Sequence, residues 1–195
     1  MFFILITLAI IPGIIYASFF EWILHRYLMH RPLWGFTYAF KAHARVHHGR
    51  FQADHTYHLQ KEEDKRTIPM AWWNGMVLIV IATSLTLPIS WPLKWWWLSF
   101  GFMAALILYY GAYEYLHWCM HLPKKRRLEF GKIFRWLNGH HLLHHRWPAT
   151  NFNVVLPLAD WVLGTLLLRA KFPFMQATGP MVPDVQPKSK QTVET

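Results

Sequence analysis

The chain carries little charge and almost no thiol chemistry. Its single cysteine, Cys119, excludes an intrachain disulfide and any CxxC redox or zinc pair. Charged residues make up only 15% of 195, against 54% hydrophobic, which argues against an ordinary soluble domain. Acidic side chains are the scarcest charge, 10 against 20 Lys and Arg, so the net charge is +10. In a polar chain that excess would suggest nucleic acid. Beside so apolar a composition it suits anionic lipid headgroups, which attract basic juxtamembrane segments for the same Coulombic reason. No nucleic-acid partner is expected. What the sequence has in abundance is aromatic and imidazole: 12 Trp, 14 Phe and 13 His, more histidines than acidic residues. The length is one domain's worth, enough to bury a core.

Three runs lack charge: Phe2 to Phe20, Thr67 to Leu93, and Trp95 to Tyr113. Each is long enough to cross a hydrocarbon core of ~30 Å as a helix. No basic stretch precedes the first run, which argues against a cleaved signal peptide. Pro88, Pro92 and Lys94 punctuate the second and third runs into a helical hairpin, with Trp91 and Trp95 to Trp97 at its turn, where indoles favour the headgroup layer. A fourth apolar stretch, Asn151 to Leu168, is broken by Pro157 and Asp160, and is expected to lie in the interface or pack on the domain. Three crossings place 19 of 20 basic residues on one face, which the positive-inside rule assigns to the cytoplasm. All 13 histidines fall on that face. The expected fold is an all-α integral membrane protein, with about three transmembrane helices over 2–24, 68–92 and 95–116 and a cytoplasmic histidine-rich helical cap. Residues 1–175 form one domain; 176–195, rich in Pro, Lys, Gln and Thr, are expected to be a disordered tail.

The histidines cluster as His25 and His30 in HRYLMH, His43, His47 and His48 in HARVHH, His117 and His121 in HWCMH, and His141, His144 and His145 in HLLHH. Spacings of three and four put His117/His121, His43/His47 and the last trio on single helix faces, within reach of one metal or two neighbouring ones. His25 and His30, five apart, do not share a face of a regular α-helix and need a helix end or a local distortion. A lone histidine at a membrane interface is ordinarily an amphipathic contact. Ten in four groups on one side would repel on protonation near neutral pH, which a metal resolves. Imidazole suits zinc, copper, nickel and iron alike. A structural zinc needs four ligands, often thiolates, and bis-histidine haem needs pairs facing each other inside the bilayer. Ten nitrogens suit two ions with about five ligands each, and iron is the redox metal that such open sites would most usefully hold.

At these residues the sequence resembles the fatty acid hydroxylase/sterol desaturase superfamily of membrane di-iron enzymes, whose boxes HX3–4H, HX2–3HH, HX3H and HX2–3HH are matched in order by HX4H, HX3HH, HX3H and HX2HH. The likeness runs from about Glu21 to Thr165 and includes the acidic-aromatic pair before the first box and the Asn-aromatic and Asp-x-x-x-Gly-Thr after the last. It implies that His25, His30, His43, His47, His48, His117, His121, His141, His144 and His145 ligate two iron ions, with no catalytic residue beyond the ligands. His140, four before His144, is an alternative or additional ligand. His58 is a further position near the site, although it and His55 match no box and suit a polar loop. Glu21 and Glu114, one turn from box histidines, either orient an imidazole through its second nitrogen or sit at the water boundary. Asn151 either approaches the metals or ties a loop.

The resemblance further implies hydroxylation of an unactivated C–H bond of a fatty acyl or sterol-like lipid with O2. Only one apolar run precedes the first box, where relatives commonly have two. No cytochrome b5-like domain is fused to the chain, so electrons are expected from a separate ferredoxin- or cytochrome b5-like donor with its reductase. Carotenoid ring hydroxylases are the alternative; their third box encloses four residues, whereas His117 and His121 enclose three. A non-catalytic metal- or lipid-binding membrane protein is the alternative from another class. A metal transporter would place ionisable residues in its spans, and the second and third runs have none. Lys124 to Arg127 suit a cytoplasmic anchor or anionic headgroups.

Overall fold

A computed structural model describes residues 2–168; the expected tail over 176–195 and the last residues of the expected domain lie outside them. Every regular element among the described residues is helical, and one isolated β-bridge joins Leu33 to Phe36. Helix α1 (Phe2–Ile23) runs on into a π-helical turn, Leu24–Met29. The second box follows on α2 (Tyr38–Phe40), a second π-helical segment, Lys41–His47, and α3 (His48–Arg50). A loop with two short 3-10 turns leads to α4 (Trp72–Ser84) and α5 (Leu87–Ser90). Then come α6 (Trp96–His121), α7 (Lys132–Arg146) and α8 (Leu158–Val162).

The central packing is α1 on α6. It is set by small residues. A Cβ on Gly13 would lie 2.5 Å from the Ala105 Cβ, and one on Gly101 would lie 2.5 Å from the Ile6 carbonyl oxygen. Ala9, Gly13 and Ala17 repeat every fourth residue, so the two backbones approach along one stripe, the usual way apolar helices associate where no hydrophobic driving force separates them from lipid. Helix α4 also packs on α6, and its Ala82 and Ile79 join Ala17 of α1 and Phe102 of α6 in one apolar cluster. The α4–α6 hairpin turn is fixed by a buried hydroxyl chain, Thr86 to Ser99 at 2.7 Å and Ser99 to Ser90 at 2.8 Å.

Two helical stretches, Phe2–Met29 and Glu62–Ser90, are long and apolar enough to cross a membrane, yet only 22% and 17% of their most apolar windows are buried within the chain. A core helix of a soluble protein hides its apolar face. Here Phe3, Ile4, Val80 and Ile81 point outward, which hydrocarbon tolerates and water penalises. The third expected crossing, 95–116, lies in α6, whose length suffices but which is not among the helices meeting both criteria. It is sandwiched between its neighbours and turns Tyr109, Tyr113 and His117 inward. The stretch 151–168 does not span: Asn151 to Val154, Ala159 and Asp160 are buried against the domain, while Trp161 and Val162 are exposed.

Candidate metal centre

The ten box histidines converge into two groups of five. His25, His30, His43, His48 and His144 form one; His47, His117, His121, His141 and His145 form the other, and within each the potential ligand atoms lie within 4.8 Å of one another. The π-helical turns explain the five-residue spacing that a regular helix cannot use. A π-turn closes i to i+5. The His30 N–H bonds the His25 carbonyl at 3.1 Å, and the His48 N–H bonds the His43 carbonyl. Each pair therefore stacks on one face. In the second group the pairs His117/His121 and His141/His145 are four apart on the regular helices α6 and α7. The remaining two cross over: His47 leaves its own box to join the second group, and His144 joins the first. The expected pairing of His43 with His47 is thus replaced by His43 with His48, because the backbone there is π-helical.

The hydrogen bonds fix which ring nitrogens face inward. Nδ1 of His25 donates to the Phe152 carbonyl (2.5 Å), that of His144 to Thr150 (2.8 Å), that of His47 to Thr67 (3.0 Å), that of His121 to Tyr57 (2.8 Å) and that of His145 to Phe51 (2.5 Å). A carbonyl only accepts, so the proton is assigned to Nδ1 and each Nε2 presents a lone pair. Those lone pairs face other imidazole nitrogens: His25 and His43 at 2.8 Å, His30 and His144 at 3.0 Å, and His141 with both His121 and His145 at 3.1 Å. Nε2 of His47 and both nitrogens of His117 are buried without a hydrogen-bond partner. Converging lone pairs repel unless a cation lies between them. Two nitrogens about 2.1 Å from one ion, at right angles, would be about 3.0 Å apart. The donor set fits a metal ion at each group.

Burial and the neighbouring imidazoles keep these rings neutral, the form that ligates. Burial lowers His30 to about 4, and burial, partly offset by the Thr67 carbonyl, lowers His47 to about 4. His48, His141, His144 and His145 are also pushed well below the usual histidine value, by burial first and then by the other histidines.

The orienting carbonyls come from two separate loops. Phe152 and Thr150 serve the first group; Phe51, Tyr57 and Thr67 serve the second. The first loop is held by two buried carboxylates. Asp160 accepts from the Phe152 and Asn153 N–H groups (2.9 and 2.8 Å), the Thr165 hydroxyl (2.7 Å) and His140 Nε2 (3.2 Å). Burial alone would raise its pKa, but these hydrogen bonds outweigh that and hold it below the usual range. Glu21 accepts from the Val154 N–H (2.7 Å), Asn153 Nδ2 (3.0 Å) and the Tyr109 hydroxyl (2.7 Å).

Several expected positions take other roles. His140 lies outside both groups and donates to Asp160. His58 also lies outside them, its ring 5.2 Å from that of Tyr57. Glu114 accepts from the Met70 N–H, at 3.2 and 3.3 Å, rather than meeting His117. Asn151, at φ +54°, donates to the His140 and Leu167 carbonyls and so ties a loop. Sequence reasoning missed the five orienting carbonyls, which no side chain announces. It noted Asp160 as a break in an apolar stretch and as part of a family pattern, not as the anchor of this loop.

An apolar pocket, partly open to its surroundings, reaches His25. Residues of α1, α4 and α6 line it, together with Met29 and Met70. Glu21 and Tyr109 stand among them, but their polar ends bond to each other, so the exposed lining is almost entirely apolar.

No protein-family model and no solved structure matches the chain. The sequence is 28% identical over 163 residues to the dihydroceramide fatty acyl 2-hydroxylase FAH1 of Arabidopsis thaliana, an alignment that covers 80% of this chain. The chain spans about 60% of that relative's length. The similarity bears out the resemblance to the fatty acid hydroxylase/sterol desaturase superfamily that the histidine boxes carry.

Proposed function

We infer that this protein is a membrane di-iron enzyme that hydroxylates an unactivated C–H bond of a lipid acyl chain, using O2 and electrons from a separate donor. The observation that carries the reading is the pair of five-histidine groups with inward lone pairs, set beside an apolar cavity that ends at His25. The relative's fatty acyl hydroxylase activity points to the same substrate class. Residues His25, His30, His43, His48 and His144 would hold one iron, and His47, His117, His121, His141 and His145 the other. When bound, the two irons supply the activation of O2 that C–H hydroxylation requires.

The protein's own part is binding, orientation and exclusion of water. The apolar walls take the hydrocarbon and leave no polar group to hold it anywhere but at the histidine end. Burial of both groups keeps bulk water from the reacting carbon. The carbonyls of two loops fix five of the ten imidazoles before a substrate arrives, so these need no reorientation when it does. Three crossings, with the histidine groups on the cytoplasmic face, complete the arrangement, and the 19 basic residues on that face suit both anionic headgroups and an acidic, ferredoxin- or cytochrome b5-like donor.

The test is metal analysis of the purified chain, followed by expression with a donor under labelled O2 and a survey of the lipids. Two irons per chain and a labelled hydroxy acyl product support the reading. Metal-free protein with a normal fold would sink it in favour of a non-catalytic lipid-binding role, and labelled xanthophylls would move the substrate to carotenoid rings.

A further inference from the structure

The cavity at His25 has one wall that is built differently from the rest. Helices α1 and α4 both pack on α6, and the cavity lies where the three helices meet. On the α4 side the ring of Tyr110 lies directly on the backbone of Gly75. A Cβ at that position would be 2.2 Å from Tyr110 Cε1 and 2.4 Å from its Cζ. The ring is thus seated in a notch that only glycine provides. Its hydroxyl interacts with Glu114, whose carboxylate accepts from the Met70 N–H just before α4. Tyr110 is therefore held twice at the outer end of its side chain, by the Gly75 backbone and by Glu114. Phe20, Tyr109 and Tyr113 supply the other aromatic walls. From Ala17 to His25 the cavity extends eight residues along α1 and its π-turn, about 12 Å at helical rise.

Resting on the lipid-acyl reading above, the geometry points to Tyr110, seated on Gly75, as the residue that sets the width of the lipid slot, so that it admits an unbranched acyl chain and excludes a ring system. The occupant is one hydrocarbon chain, because the lining offers apolar contact along its length and hydrogen-bonding atoms nowhere along it. A fused-ring or cyclohexenyl lipid would have to displace Tyr110, which is locked by its notch and by Glu114. A linear chain passes beside the ring.

The experiment uses the full chain in nanodiscs, metal-free and metal-loaded, with a photoreactive diazirine palmitic acid whose cross-links are mapped by mass spectrometry. The expected labels fall on residues 70–79 and 109–113, and excess palmitic acid competes them away. Gly75→Ala pushes the Tyr110 ring off its seat and lowers labelling about tenfold. The double variant Gly75→Ala with Tyr110→Ala restores it, which a merely misfolded protein would not do. Tyr110→Ala alone admits a pyrene-terminated fatty acid that the native protein excludes. Labels outside the cavity, an inert Gly75→Ala variant, failure of the double variant to recover, or equal entry of the pyrene probe into native protein would each overturn the assignment. The two readings fail separately. Labelling in the slot without any hydroxylated product leaves the slot and removes the enzyme; a hydroxylated product with labels elsewhere does the reverse.

Discussion

Replacing Asp160 with asparagine should damage one metal group and largely spare the other. The carboxylate is fully buried and accepts four hydrogen bonds, two from backbone N–H groups of the loop that orients the first group. Asparagine keeps the shape but turns an NH2 toward one pair of donors. If it faces Asn153 and His140, the histidine can shift its proton to Nδ1 and accept, while the Asn153 N–H is stranded. If it faces Phe152 and Thr165, the hydroxyl can turn and the Phe152 N–H is stranded. Either way one buried N–H loses its acceptor, at about 1–3 kcal/mol, and the two surviving bonds lose their charge assistance, at roughly 1 kcal/mol each. Relief of burying a charge offsets part of this, but the depressed pKa of Asp160 shows that its hydrogen bonds exceed that cost in the native fold. The net loss should be about 3 kcal/mol. The measurement is unfolding in mixed micelles together with metal per chain. Asp160→Asn should lower the unfolding free energy by that amount and weaken metal binding mainly at His25 and His144, since Phe51, Tyr57 and Thr67 still orient the second group. Equal loss of metal from both groups, or unchanged stability, would refute the division of the centre between two loops.

Further outcomes follow from the same geometry. If the proposed function holds, His144→Ala should remove metal from the first group and abolish product while the chain stays in the membrane, and His47→Ala should do the same to the second group; metal analysis of each variant checks both. Gly13→Leu should separate α1 from α6, because even a Cβ there meets Ala105 at 2.5 Å; a loss of about 1–3 kcal/mol is expected in thermal unfolding. Acidification should destabilise the metal-free protein. His30 and His47 are lowered from 6.5 to about 4, so the folded state binds fewer protons than the unfolded chain; stability is complete above pH 6.5 and falls as pH drops toward 4, by at most about 3 kcal/mol per histidine. A flat melting temperature across that window would contradict the neutral assignment.

The composition and the uncharged runs made the helical, membrane-associated character legible, and the boxes marked the ten residues that the fold gathers. Their partition was not legible. His43 and His47, four apart, read as a pair on any regular helix, and nothing in HARVHH states that the backbone is wound as a π-helix. The role of Glu21 was also hidden, because a carboxylate one turn before a box histidine suggests a direct bond. Its partners are Val154, Asn153 and Tyr109, two of them more than 130 positions away. The α1–α6 contact left a trace in Ala9, Gly13 and Ala17, but small residues in an apolar run gain that meaning only once the facing Gly101 and Ala105 are known.

The two π-turns are more than an irregularity of spacing. A π-turn is rare because it widens the helix and loosens its packing, so its persistence in two boxes asks for a compensating gain. Here the two segments and their ends supply His25, His30, His43 and His48 to the first group and only His47 to the second, and no π-turn occurs in the four-spaced pairs of α6 and α7. The first group thus draws four of its five histidines from the π-wound segments and their ends, with His144 from α7, while the second draws four of its five from regular helix. A metal ion that binds only the folded arrangement stabilises it by about 3–4 kcal/mol at 100 to 1,000 times its dissociation constant, and that gain falls where the backbone is least self-supporting. Chelation should therefore raise amide exchange in Leu24–Met29 and Lys41–His47 well before it does so along α7. Uniform exchange across all three segments after metal removal would show that the π-turns hold without help from the metal.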